Sequence, residues 1–124
     1  MTTRKNSNNR FKFRAWDKKE NKWFDGNVLY LMSQTYIPDE TDYEFMQSTG
    51  LLDKNGKEIF EGDVITGAWH YFEVPFLIKW DLYGFRMECL KDFDYIKKGE
   101  HKDCPTHIEL CEIIGNIFET NLIK

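Results

Sequence analysis

Thr49–Thr66 reads TGLLDKNGKEIFEGDVIT, and this stretch decides the fold. Asp53-Lys54-Asn55-Gly56 is a tight turn, because Asn and Gly tolerate the positive φ that such turns demand. Gly50 predicts a strand break ahead of it, and Leu51 and Leu52 tie the loop to a core. Glu58–Asp63 then leads into Val64-Ile65, the start of a β-branched strand. At Gly62-Asp63, Gly permits a sharp bend and Asp can accept backbone N–H bonds inside the turn. Each turn residue thus has a structural reason. The stretch sets the register between the strands before it and a barrel-like half after it.

On the N-terminal side, Arg10–Trp16 alternates with the period of a half-buried strand. Phe11, Phe13 and Ala15 take one face, and Arg10, Lys12, Arg14 and Trp16 the other. Asp17–Lys22 is a charged turn, and Trp23-Phe24 starts the second arm of a hairpin. Asn27–Ile37 reads as one or two strands, although Val28, Leu31 and Met32 also fit a short helix face. Pro38 ends either. Asp39–Asp42 is an acidic loop. Tyr43–Ser48 is a further strand, with Tyr43, Phe45 and Gln47 on one face.

On the C-terminal side, Val64–His70 and Tyr71–Trp80 read as strands around Gly67 and Pro75, the proline pointing to an edge or bulge. Asp81–Gly84 is a turn and Phe85–Leu90 the returning strand. Lys91–Pro105 is charged and irregular. Thr106–Thr120 closes the chain as a strand interrupted at Gly115-Asn116. The expected fold is mainly β: a small antiparallel barrel of SH3-like type with additional N-terminal strands. Residues 1–9 are expected to form a disordered or loosely held tail, and residues 10–124 a single β-rich domain.

Composition agrees with strands. Aromatics reach 16%, and alanine, the best helix former, occurs only at Ala15 and Ala68. The formal net charge of −4 excludes a generic polyanion binder, so nucleic acid would need a local basic patch. Three cysteines, no apolar leader and no run long enough to span a bilayer fit a cytoplasmic protein with reduced thiols and no membrane partner.

Three segments carry a resemblance. KFRAWDKKENKWF (Lys12–Phe24), STGLLDKNGKEIFEGDVI (Ser48–Ile65) and EIIGNIFETNLI (Glu112–Ile123) resemble the YopX family, small proteins encoded by phages and prophages of low-GC Gram-positive bacteria. The resemblance implies a β-rich, barrel-containing accessory protein of a bacterial cytoplasm, associated with homo-oligomers. It brings no catalytic residues to carry over.

Three residue sets could carry chemistry. The first is His101-x2-Cys104-x2-His107-x3-Cys111, four ligands of the kind zinc binds. They are crowded into one segment rather than split into two pairs, and Cys111 sits where a strand buries a small apolar residue. The second is the basic aromatic strand, with Arg10, Lys12, Arg14 and Trp16 as a candidate nucleic-acid surface. The plain alternative is an amphipathic strand with solvated charges, or one paired with an acidic surface of the same fold or a neighbouring subunit. The third set is the carboxylates. Asp53–Glu58 lacks the ligand order of a calcium loop, which leaves a turn with solvated charges and Asp63 as the one structural Asp. Nothing resembles a nucleophile motif, so no catalytic residue and no cofactor are expected. The expectation is a non-enzymatic protein acting through contacts with itself or with a phage or host protein.

Overall fold

The computed structural model describes residues 12–33, 42–68, 70–82, 84–103 and 107–119. Among them, nine strands form two antiparallel sheets, with one short helix between strands of the first sheet and one 3-10 turn between strands of the second. The first sheet holds β1 (Phe13–Asp17), β2 (Lys22–Trp23), β3 (Tyr43–Leu52) and β4 (Glu58–Phe60), in the order β2-β1-β3-β4. The second holds β5 (Asp63–Thr66), β6 (Phe76–Asp81), β7 (Gly84–Cys89), β8 (His101–Asp103) and β9 (Glu112–Asn116), in the order β8-β7-β6-β5-β9. One sheet curls into a half-barrel, giving the small β-barrel fold with extra N-terminal strands.

The core lies largely under the second sheet. Ile59, Ile65, Phe76, Ile78, Met87 and Ile108 are buried together, with Leu51 and Ile113 packed against them. The sheets meet at Gly62. Its N–H donates to the Ile78 carbonyl at 2.8 Å, and its own carbonyl accepts the Ile117 N–H at 3.1 Å. Gly62 has φ +90°, and an added Cβ would stand 2.9 Å from Met46 Sδ, so the bend needs glycine on both counts.

Several elements differ from the reading of the sequence. Gly50 does not break the strand. With φ 79° it lets β3 run on to Leu52 through a shift of register against β4. Residues Val28–Met32 are helix α1 rather than strand, because the Asn27 Oδ1 accepts the Tyr30 N–H at 2.9 Å and caps a first turn. β1 is buried on both faces: Ala15 and Trp16 are both core residues. Trp16 packs edge-on against Trp23 at 4.9 Å and stacks on Phe118 at 6.1 Å. Pro75 flanks the start of β6, an interior strand, and accepts the Leu90 N–H through its carbonyl. The charged segment after β7 contains β8 and the buried Ile96, and the closing strand shrinks to β9 behind the 3-10 turn Ile108–Leu110. The expected interruption near Gly115 is present as a register shift against Val64 and Ile65. The tail at residues 1–9 lies outside the described residues.

Candidate functional site

Most of the buried polar groups hold the fold together. Asp63, at the start of β5, accepts the Phe60 N–H on Oδ2 at 2.8 Å. Its Oδ1 accepts the Asn116 amide at 3.2 Å and pairs with Arg14 Nη2 from β1. Burial pushes the Asp63 carboxyl above the usual carboxylate range, while Arg14, the Phe60 N–H and Asn116 pull it back. The Arg14 guanidinium lies between the rings of Trp23 and Phe60, at 4.3 and 4.5 Å. Three segments far apart in sequence thus converge on one carboxylate where the sheets join.

Asp53 serves a second junction. It is fully buried, and its Oδ1 accepts the N–H groups of Asn55 and Lys57 at 2.8 and 2.9 Å. Its Oδ2 accepts the Ile113 N–H of β9 at 3.0 Å. This corrects the expectation of solvated charges with Asp63 as the one structural Asp. Both carboxylates are structural, and Asp53 is occupied by backbone rather than open to a cation.

Among the described residues, the nucleic-acid candidates are engaged within the fold. Trp16 is buried, Arg14 is committed to Asp63, and Lys12 pairs with Glu58 at 3.2 Å. Arg10 lies outside the described residues. The expectation that the basic strand pairs with acidic groups of the same fold describes Lys12 and Arg14.

Among the described residues, the zinc candidates do not converge. His101 lies on β8 with Nε2 3.6 Å from Glu88, and His107 lies ahead of the 3-10 turn with Nδ1 3.6 Å from Glu109. Cys104 lies outside the described residues, and among those described no three His, Cys, Asp or Glu side chains gather as a metal site. Cys111 is a core residue. Burial, with Glu109 and Asp53 nearby, pushes its thiol up to about 11, away from the thiolate that binds metal.

That shift has a measurable sign. The Cys111 proton is held in the fold to about 11 but lost from an unfolded thiol near 9.0. The stabilisation is therefore complete below pH 9.0 and lost as pH rises through 9.0 to about 11. Denaturant titrations across that range should show a fall of about 2 kcal/mol. Cys111→Ala should lower stability at neutral pH and flatten this alkaline slope; an unchanged slope would assign it to other groups.

Sequence reasoning did not find the groove where the sheets part, between β3, β6 and the Ile117-Phe118 turn, which has a volume of about 240 Å³. Phe45, Met46, Leu77, Ile78, Ile117 and Phe118 line it, with Glu44, Glu61 and Lys79 also at its wall. Its parts come from four separate segments, so no local motif announces it. Elsewhere the aromatic set divides between core and surface: Phe76 is fully buried, whereas Phe72 and Tyr95 stand exposed. Trp69 and Tyr83 lie outside the described residues.

Fold and site together define a small two-sheet β protein whose buried carboxylates hold its sheets together. Residues 12–124 match the family model described as YopX protein, and the chain belongs to that family. The crystal structure of protein EF1440 from Enterococcus faecalis is similar, with 26% identity and a TM-score of 0.58 over 91% of this chain and 97% of that one. No protein of curated function matches the sequence. Among the described residues, no helix is long and apolar enough to cross a membrane.

Proposed function

We propose that this chain is a non-enzymatic accessory protein of phage or prophage origin that works in the bacterial cytoplasm through protein–protein contacts, as a homo-oligomer. The observation that carries this reading is α1. All five of its residues, VLYLM, are apolar, and none is buried. A helix that is apolar all round is normally interior, yet Leu29 is 57% and Met32 37% exposed. Leu29 and Met32 are three positions apart and share a face. An apolar cluster held out by a capped helix is the kind of surface a partner subunit covers. The non-enzymatic part is supported by Asp53, Asp63, Arg14 and Asn116, which are engaged in structural bonds. The phage setting is supported by YopX membership.

Light scattering at micromolar concentration tests the reading. The expected result is an assembly larger than one chain, which Leu29→Glu with Met32→Glu converts to a monomer with the wild-type circular dichroism spectrum. A wild-type monomer would refute self-association.

A further inference from the structure

The groove borders an unfinished sheet edge. β1 and β3 pair antiparallel, and the bonds from Ser48 N–H to the Lys12 carbonyl and from Lys18 N–H to the Asp42 carbonyl fix their phase. The residues of β3 that bond to β1 are therefore Glu44, Met46 and Ser48. Bonding direction alternates along a strand, so the N–H and C=O groups of Tyr43, Phe45 and Gln47 point to the opposite edge. Gln47 is occupied there: its carbonyl accepts the Glu61 N–H at 2.9 Å and the Trp80 indole at 3.4 Å. β4 pairs with β3 only from Ser48 onward, because the chain turns away at Gly62 into the second sheet. Tyr43 and Phe45 are left with no strand beside them among the described residues.

Charge selects what such an edge would accept. Glu44 is exposed, and Glu61, whose Oε1 accepts the Gln47 N–H at 3.5 Å, also lines the groove. Among the described residues the cation at the wall is Lys79, and Glu88 holds it at 2.9 Å. The mouth is therefore anionic above a floor of Met46, Leu77, Ile78, Ile117 and Phe118. Pairing β3 with the same strand of a second copy would bring Glu44 toward its own counterpart, a like-charge contact that destabilises strand pairing.

We propose that this edge receives an extended segment of a partner protein, with basic and apolar side chains in alternation, added as a strand beside Tyr43–Phe45. Main-chain bonds to Tyr43 and Phe45 hold the segment, its apolar side chains lie on the face of Tyr43 and Phe45, and its basic side chains lie on the opposite face beside Glu44, at the anionic mouth of the groove. The proposal rests on the reading of the chain as a contact module. It uses a different surface from α1, so its failure and that of self-association are separable.

The probe is a short synthetic peptide of alternating lysine and valine, added to the isotope-labelled full chain and followed by amide exchange and chemical shift. Two further versions carry N-methyl groups, one on every lysine amide and one on every valine amide. The expected result is saturable binding that slows exchange of the Tyr43 and Phe45 amides by about tenfold or more. One methylated version should bind like the parent and the other not at all, since only one set of amides faces β3. Glu44→Lys should weaken binding roughly tenfold at an unchanged melting midpoint. Absence of saturable binding overturns the proposal. Equal binding of both methylated peptides also overturns it, because that is charge contact without strand pairing. Tyr43 and Phe45 amides already protected in the free chain would give the edge to another segment or a second copy. Peptide binding to a chain that sizes as a monomer would leave the edge assigned and refute self-association alone.

Discussion

Asp63→Ala is expected to destabilise the protein by about 3–5 kcal/mol, the loss typical when one partner of a buried ion pair is removed. Such a loss is a large part of the roughly 5–15 kcal/mol that holds a domain of this kind folded. Its size follows from what remains. The Arg14 side chain is 25% exposed and that of Asp63 3%, so the truncation leaves a guanidinium largely out of water with no counter-charge. The Phe60 N–H and the Asn116 amide lose their acceptor in the same step. The rings of Trp23 and Phe60 still flank the cation, but their attraction is worth only about 1–2 kcal/mol and does not replace a carboxylate. Guanidinium titration followed by tryptophan fluorescence measures the effect. Adding Arg14→Met to Asp63→Ala should recover part of the loss, since the unpaired charge departs with its side chain. A loss below about 1 kcal/mol for the single variant would show that the pair acts like an exposed salt bridge.

This cluster shows where sequence reading reaches its limit. The bend at Gly62-Asp63 was legible because its causes are local: a positive φ at Gly62 and an N–H only three residues before Asp63. The partner on β1 was not, because Arg14 and Asp63 stand 49 positions apart and meet only after the sheets join. Alternation placed Arg14 and Trp16 together on one face, correctly. It could not say that the face would be covered by Trp23 and Phe118. Periodicity also left residues 28–32 open between strand and helix; the Asn27 cap decided the outcome. The open edge at Tyr43–Phe45 has no local signature, because an edge is defined by the strand that fails to arrive.

Asp53→Ala is expected to cost about 3 kcal/mol, through three backbone N–H groups that lose their acceptor together. Water can reach part of the Asp53–Lys57 turn and soften the loss there. It cannot easily reach Ile113, which packs against the core beside the turn. The Ile113 bond should therefore dominate the loss. Asp53→Asn separates the contributions. Its one remaining oxygen can still serve Asn55 and Lys57, but its NH2 would then face the Ile113 N–H, donor against donor. That variant should lose about half as much as the alanine. The consequence should also be local in a way that Asp63→Ala is not. The Asp53–Lys57 turn is held to β9 and the residue before it by this bond, by Lys54 N–H on the Cys111 carbonyl at 2.8 Å, and by the Lys54–Glu112 pair at 3.5 Å. Of these, the bond to Ile113 comes from a buried charge, and charged hydrogen bonds are roughly twice as strong as neutral ones. Native-state amide exchange should show the Ile113 amide losing protection more than those of β6 and β7. Equal loss throughout would mean that the turn opens only with the whole fold.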